Sequence, residues 1–76
     1  MEISQHIDIN PKVMMGKPVI KGTRITVESL LEKLSSGETE EDILLSHPHI
    51  TKDSIKAALG FAAQSLKGEN IYPVSL

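Results

Sequence analysis

Ten consecutive residues, Gly16-Lys17-Pro18-Val19-Ile20-Lys21-Gly22-Thr23-Arg24-Ile25, leave this chain little freedom in how it folds. Gly16 and Gly22 suit turns whose backbone needs positive φ. Pro18 sets its own φ and pushes Lys17 towards extended geometry. Val19-Ile20 and Arg24-Ile25 then predict two very short strands around a Lys21-Gly22-Thr23 turn. The stretch holds three cations and no acid. A rigid turn that presents Lys17, Lys21 and Arg24 suits an anionic surface.

On the N-terminal side, Ile3, Gln5, Ile7 and Ile9 alternate with Ser4, His6 and Asp8, the period of a half-buried strand, and Asn10-Pro11 ends it. At Thr26 the period changes from two to that of a helix. Thr26 is an N-cap residue, and Val27, Leu30, Leu31 and Leu34 form one apolar stripe up to a stop at Ser35-Ser36-Gly37. Thr39 caps a short second helix. Asp42 completes an approximate capping box there, with Ile43, Leu44 and Leu45 expected inward and Pro48 ending the helix. Thr51 caps a third helix that runs to Gly68. Its inward face is expected at Ile55, Leu59, Ala62 and Leu66, and a more polar side at Lys52, Lys56, Gly60, Gln64 and Lys67. Phe61, with Ala57 and Ser54, points in a third direction. That pattern predicts one small domain over 1–76: strands and a basic turn in 1–25, three helices in 26–68, and a tail, 69–76, that is a strand or a flexible peptide. The fold class is mainly α (α+β), a three-helix bundle with short N-terminal β-strands. The second and third helices, separated by His47-Pro48-His49-Ile50, have helix-turn-helix spacing without the usual turn glycine.

Length sets a further limit. A chain of 76 residues buries roughly 60% of its unfolded surface, so a lone monomer is marginal. Cysteine is absent, which removes disulfides and thiolate zinc sites as a source of stability. Oligomerisation or a partner chain is the remaining route. Nothing in the sequence approaches the roughly 20 apolar residues of a membrane span, and the N-terminus lacks a signal pattern; a soluble, cytoplasmic protein is expected. The net charge of −2 hides a partition. Residues 10–25 carry Lys12, Lys17, Lys21 and Arg24 and no acid. Residues 26–46 carry Glu28, Glu32, Glu38, Glu40, Glu41 and Asp42 against Lys33 alone. Residues 47–68 return to a positive balance.

The residues offer little for catalysis. No serine shares a recognisable motif with a histidine and a carboxylate, and no carboxylate pair sits in an apolar context. His47-x-His49 with Asp53 nearby is a poor metal site, since proline separates the histidines and no thiol joins them. Neither enzyme activity nor a cofactor is expected. With Phe61 and Tyr72 the sole aromatics, stacking recognition of single-stranded nucleic acid is disfavoured. Binding residues are the better prospect. Lys17, Lys21 and Arg24 suit phosphate or carboxylate, Arg24 as a planar fork; a structural corner with Arg24 paired to Glu28 is the plainer alternative. Lys52, Lys56 and Gln64 would face DNA if the third helix is a reader, or water if it is not. Phe61 and Tyr72 suit protein contacts, with a second copy or a partner.

Gly16 to Ile25, followed by Leu30, Leu31, Gly37, Thr39, Ile43, Leu44, Pro48, Ile50-Thr51, Ile55 and Ala57-Ala58-Leu59, resembles the small prokaryotic family known as domain of unknown function 433. The similarity covers about Ile7 to Ala63. Such proteins resemble VapB-type antitoxins, which are often paired with a toxin of PIN-like fold, a metal-dependent ribonuclease class. The resemblance implies a homeodomain-like three-helix core. Two positions depart from the family pattern. Met15 stands where the first of two glycines usually precedes Lys-Pro, and Thr26 stands where a proline tends to follow Arg-Ile. Threonine is itself a good N-cap; the methionine bears on how closely the loop backbone approaches a partner.

Together these features lead to the expectation of an antitoxin-like, homodimeric binding protein that neutralises a PIN-like ribonuclease toxin and, with it, binds operator DNA. A stand-alone helix-turn-helix regulator and a structural oligomer without nucleic-acid affinity are the alternatives.

Overall fold

The computed structural model describes residues 2–68; Tyr72 and the rest of the expected tail lie outside them. Strand β1 (Ile7–Asp8) pairs antiparallel with β2 (Val19–Ile20), Ile7 opposite Ile20 and Asp8 opposite Val19. Helices α1 (Val27–Ser35), α2 (Glu40–Ser46) and α3 (Lys52–Gly68) follow. This is the expected small, mainly helical α+β fold with its strands at the N-terminal end.

The β element is shorter than the alternation of Ile3 to Ile9 suggests. Ile3–Gln5 is a single 3-10 turn, and Ile9 is 56% exposed. On the other side of β2 the expected hairpin closes. Thr23 N donates to Ile20 O (2.9 Å) around Gly22 at φ +80°, the geometry of a type II turn. Ile20 N then donates to Ile25 O (2.9 Å), Val19 bridges Thr26, and Val27 N reaches Pro18 O (2.9 Å).

Local chemistry defines each helix end. Thr26 Oγ1 accepts from Ser29 N (3.0 Å) at the start of α1. At its end Gly37, at φ +100°, lets Gly37 N reach Leu34 O and Glu38 N reach Lys33 O, both at 3.1 Å. This is the double bond of a Schellman motif. Thr39 and Asp42 form a full capping box on α2, with Asp42 N donating to Thr39 Oγ1 (3.1 Å) and Thr39 N to Asp42 Oδ2 (3.0 Å). Those bonds from Thr39, its backbone N–H foremost, hold the Asp42 carboxyl below the usual carboxylate range. On α3 Ser54 takes the acid's place: Thr51 N donates to Ser54 Oγ (3.3 Å), and Ser54 N donates to Thr51 Oγ1 (3.1 Å).

The core gathers Ile7, Ile20, Val27, Leu30, Ile43, Ile50, Ile55, Ala57 and Ala58. Leu30, Ile43 and Ile55 are wholly enclosed. Ile50 plugs the α2–α3 turn, where Ile50 N donates to His47 O (2.9 Å). Two expected faces are corrected. Leu45 does not turn inward; it is 83% exposed, because α2 is short enough to bury only the side that carries Ile43 and Leu44. On α3 the buried side is Ser54, Ile55, Ala57 and Ala58, extended by Phe61, whereas Leu59 and Leu66 stand largely in solvent. Helical spacing puts Leu59, Ala62 and Leu66 on one line with Ile55. Close approach of α3 to α1 and to the N-terminal segment instead selects small side chains. Gly60, expected on the polar side, sits under Ile3: a Cβ there would stand 3.0 Å from Ile3 Cδ1.

Candidate functional site

The basic loop is held tightly, and this decides which of its cations are available. Lys17 Nζ lies 3.1 Å from Glu28 Oε1, so the loop is tied to the first turn of α1 by Lys17 and not by Arg24. Lys21 Nζ donates to the Ser4 carbonyl (3.2 Å), and Lys21 N to His6 O (2.8 Å), stapling the turn to the N-terminal segment. Thr23 locks the turn from within, its Oγ1 donating to Ile20 O (2.8 Å) and accepting from Ile25 N (3.0 Å). Arg24 stands next to that lock, exposed, and its guanidinium makes no hydrogen bond or ion pair among the described residues. Of three expected contact cations, two are partly spent on the fold and one is left presented. Gly16 (φ +81°) and Gly22 (φ +80°) have the turn geometry expected of them, and Lys17, before Pro18, is extended (φ −70°, ψ 145°).

Immediately before Lys17 the backbone does something the residues alone do not announce. Met14 (φ +49°), Met15 (φ +58°) and Gly16 form a left-handed turn, closed by Gly16 N to Val13 O (3.0 Å) and Lys17 N to Met14 O (3.1 Å). Only glycine takes this region without strain. Met15 is 89% exposed. The signal that could have found it is the methionine at a position where a glycine is expected.

Between α1 and the second half of α3 lies an open apolar groove of about 420 Å³. Pro18, Val27, Leu31, Phe61, Ala62 and Leu66 line it; Lys17, Glu28 and Glu32 stand at its polar edge. A smaller hollow, about 340 Å³, lies on the other side of Phe61 against Ile3, Ile7 and Ile9. Phe61 therefore packs on the core and borders both depressions. Gln64 borders the smaller hollow, whereas Lys52 and Lys56 are exposed one turn apart near the start of α3.

His47, at the end of α2, buries its Nε2 with no hydrogen-bond partner among the described residues, and His49 is exposed. Among the described residues no three potential metal ligands converge, and no helix is long and apolar enough to cross a membrane.

Residues 7–62 match the family described as "Protein of unknown function (DUF433)". The fold is similar to the crystal structure of a DUF433 member protein from Anabaena variabilis ATCC 29413, with a TM-score of 0.78 and 29% sequence identity. That likeness covers 82% of this chain and 61% of the other, so this chain spans about three fifths of its neighbour's length. No curated protein matches the sequence.

Proposed function

This chain belongs to the DUF433 family, and we propose that it acts as an antitoxin-like binding protein that neutralises a PIN-like ribonuclease toxin. The observation that supports this reading is Arg24. It is the chain's one arginine, exposed and uncommitted among the described residues, beside a turn that four hydrogen bonds among residues 20–25 hold rigid. A guanidinium carried on a fixed backbone meets a cluster of carboxylates bidentately, and the turn beneath it has little entropy left to lose. The metal site of a metal-dependent nuclease offers such a cluster. Occupying it would exclude both the metal and the phosphate of the substrate.

A second role fits the same protein. Lys52 and Lys56, exposed at the start of α3 directly after the α2–α3 turn, would be the cations of a helix-turn-helix reader. Two lysines per chain are a small footprint, so operator binding is assigned to the toxin complex, where the sites of several chains add.

The test is capture of partners from the native host with the tagged chain, the bound proteins identified by mass spectrometry. One small nuclease-like protein in equal amount, whose ribonuclease activity the chain suppresses, is the expected result. Arg24→Gln should release it, and Arg24→Lys should restore little, because an ammonium lacks the fork. Failure to recover a nuclease, together with salt-sensitive operator binding by the chain alone, would overturn the reading in favour of a stand-alone regulator. Failure of both would favour a structural oligomer.

A further inference from the structure

We infer that two copies of this chain associate about a two-fold axis, the strained Met14–Met15 turn of each seated in the α1–α3 groove of the other. The turn leads directly into Lys17, which lines the groove. The groove is apolar and open, floored by Val27, Leu31 and Phe61 and bounded by Leu66. The turn projects Met15, 89% exposed, with Met14 beside it at 43%. Lys17, two residues after Met15, stands at the groove's edge, while Met15 itself does not line the groove. The groove is therefore not filled by the Met15 of its own chain. A two-fold axis near Lys17 brings each knob to the other copy's hole, the reciprocal pattern of an isologous interface.

Charge points to the same occupant. The turn segment carries Lys12, whose side chain is exposed and unpaired among the described residues. The α1 edge of the groove carries Glu28 and Glu32; Glu28 is taken by Lys17 of its own chain, which leaves Glu32. Across the axis, Lys12 of one copy then meets Glu32 of the other, twice. A methionine is suited to such a seat because its unbranched thioether adapts to an irregular apolar groove. The backbone strain at Met14 and Met15 is the cost of aiming that side chain outward.

The experiment is sedimentation equilibrium of the full chain over a wide concentration range, with circular dichroism to confirm that each variant is folded. The wild type should reach a dimer. Met15→Asn keeps a residue that tolerates the left-handed backbone but removes the knob. It should weaken the dimer by roughly a hundredfold, since the symmetry removes two buried methionines at once. Leu66→Glu, at an exposed position on the groove edge, should weaken it comparably. Lys12→Glu should weaken it more modestly, and adding Glu32→Lys should recover most of the loss. A wild type that stays monomeric at every concentration overturns the inference. So does a dimer that is indifferent to Met15→Asn and Leu66→Glu.

Discussion

Lys17 Nζ and Glu28 Oε1, 3.1 Å apart, close the basic loop onto the first turn of α1. Glu28 lies eleven positions after Lys17, so the contact reports tertiary placement and not local preference. Both side chains remain more than half exposed, and water screens their attraction. A double-mutant cycle with Lys17→Met and Glu28→Gln, read by chemical denaturation, should give a coupling below about 1 kcal/mol. The coupling should vanish near 1 M salt, where the screening length falls to about 3 Å.

Met15 holds a conformation that glycine would take without strain. Met15→Gly should therefore raise the stability of the monomer by about 0.5–1 kcal/mol, the left-handed penalty less the extra chain entropy of glycine. Met15→Ala keeps the Cβ and should give no such gain. Thermal unfolding at concentrations low enough to avoid association checks both; a loss of stability in Met15→Gly would contradict the strain.

Acid should loosen the start of α2. The folded state holds the Asp42 carboxyl below its usual value because Thr39, through its backbone N–H and its hydroxyl, bonds the charged form. A carboxyl lowered on folding adds stability above its unfolded pKa and loses it as pH falls through the folded one. Wild-type stability should therefore decline below about pH 4. Asp42→Asn, which can still accept the Thr39 N–H, should flatten that decline. Denaturant titrations at a series of pH values compare the two slopes.

Gly60 carries Ile3 directly above it. Gly60→Ala would gain helix propensity of about 1 kcal/mol and lose part of it in moving Ile3 Cδ1 aside. Its stability should stay within about 1 kcal/mol of wild type. Gly60→Val should displace the Ile3–Gln5 turn and cost about 1–3 kcal/mol. In an Ile3→Ala background the alanine at 60 should show its full gain, which thermal unfolding of the four proteins would reveal.

What the sequence determined by itself is what neighbours along the chain decide. Thr26, Thr39 and Thr51 cap the three helices, Gly37 ends the first, and Gly22 turns the hairpin, because each of these bonds spans only a few residues. The three-helix order and the β element at the N-terminal end followed from those signals. Tertiary structure alone decided the rest. Whether Leu59 or Ala58 enters the core depends on how near α1 comes to α3, a distance that no periodicity contains. Lys17 rather than Arg24 reached Glu28 because the hairpin folds Lys17 back over α1. The same packing leaves the groove beside Phe61 open. Helix signals are short-range and additive, whereas a binding face is made where distant segments meet, and its shape is set by side-chain volume.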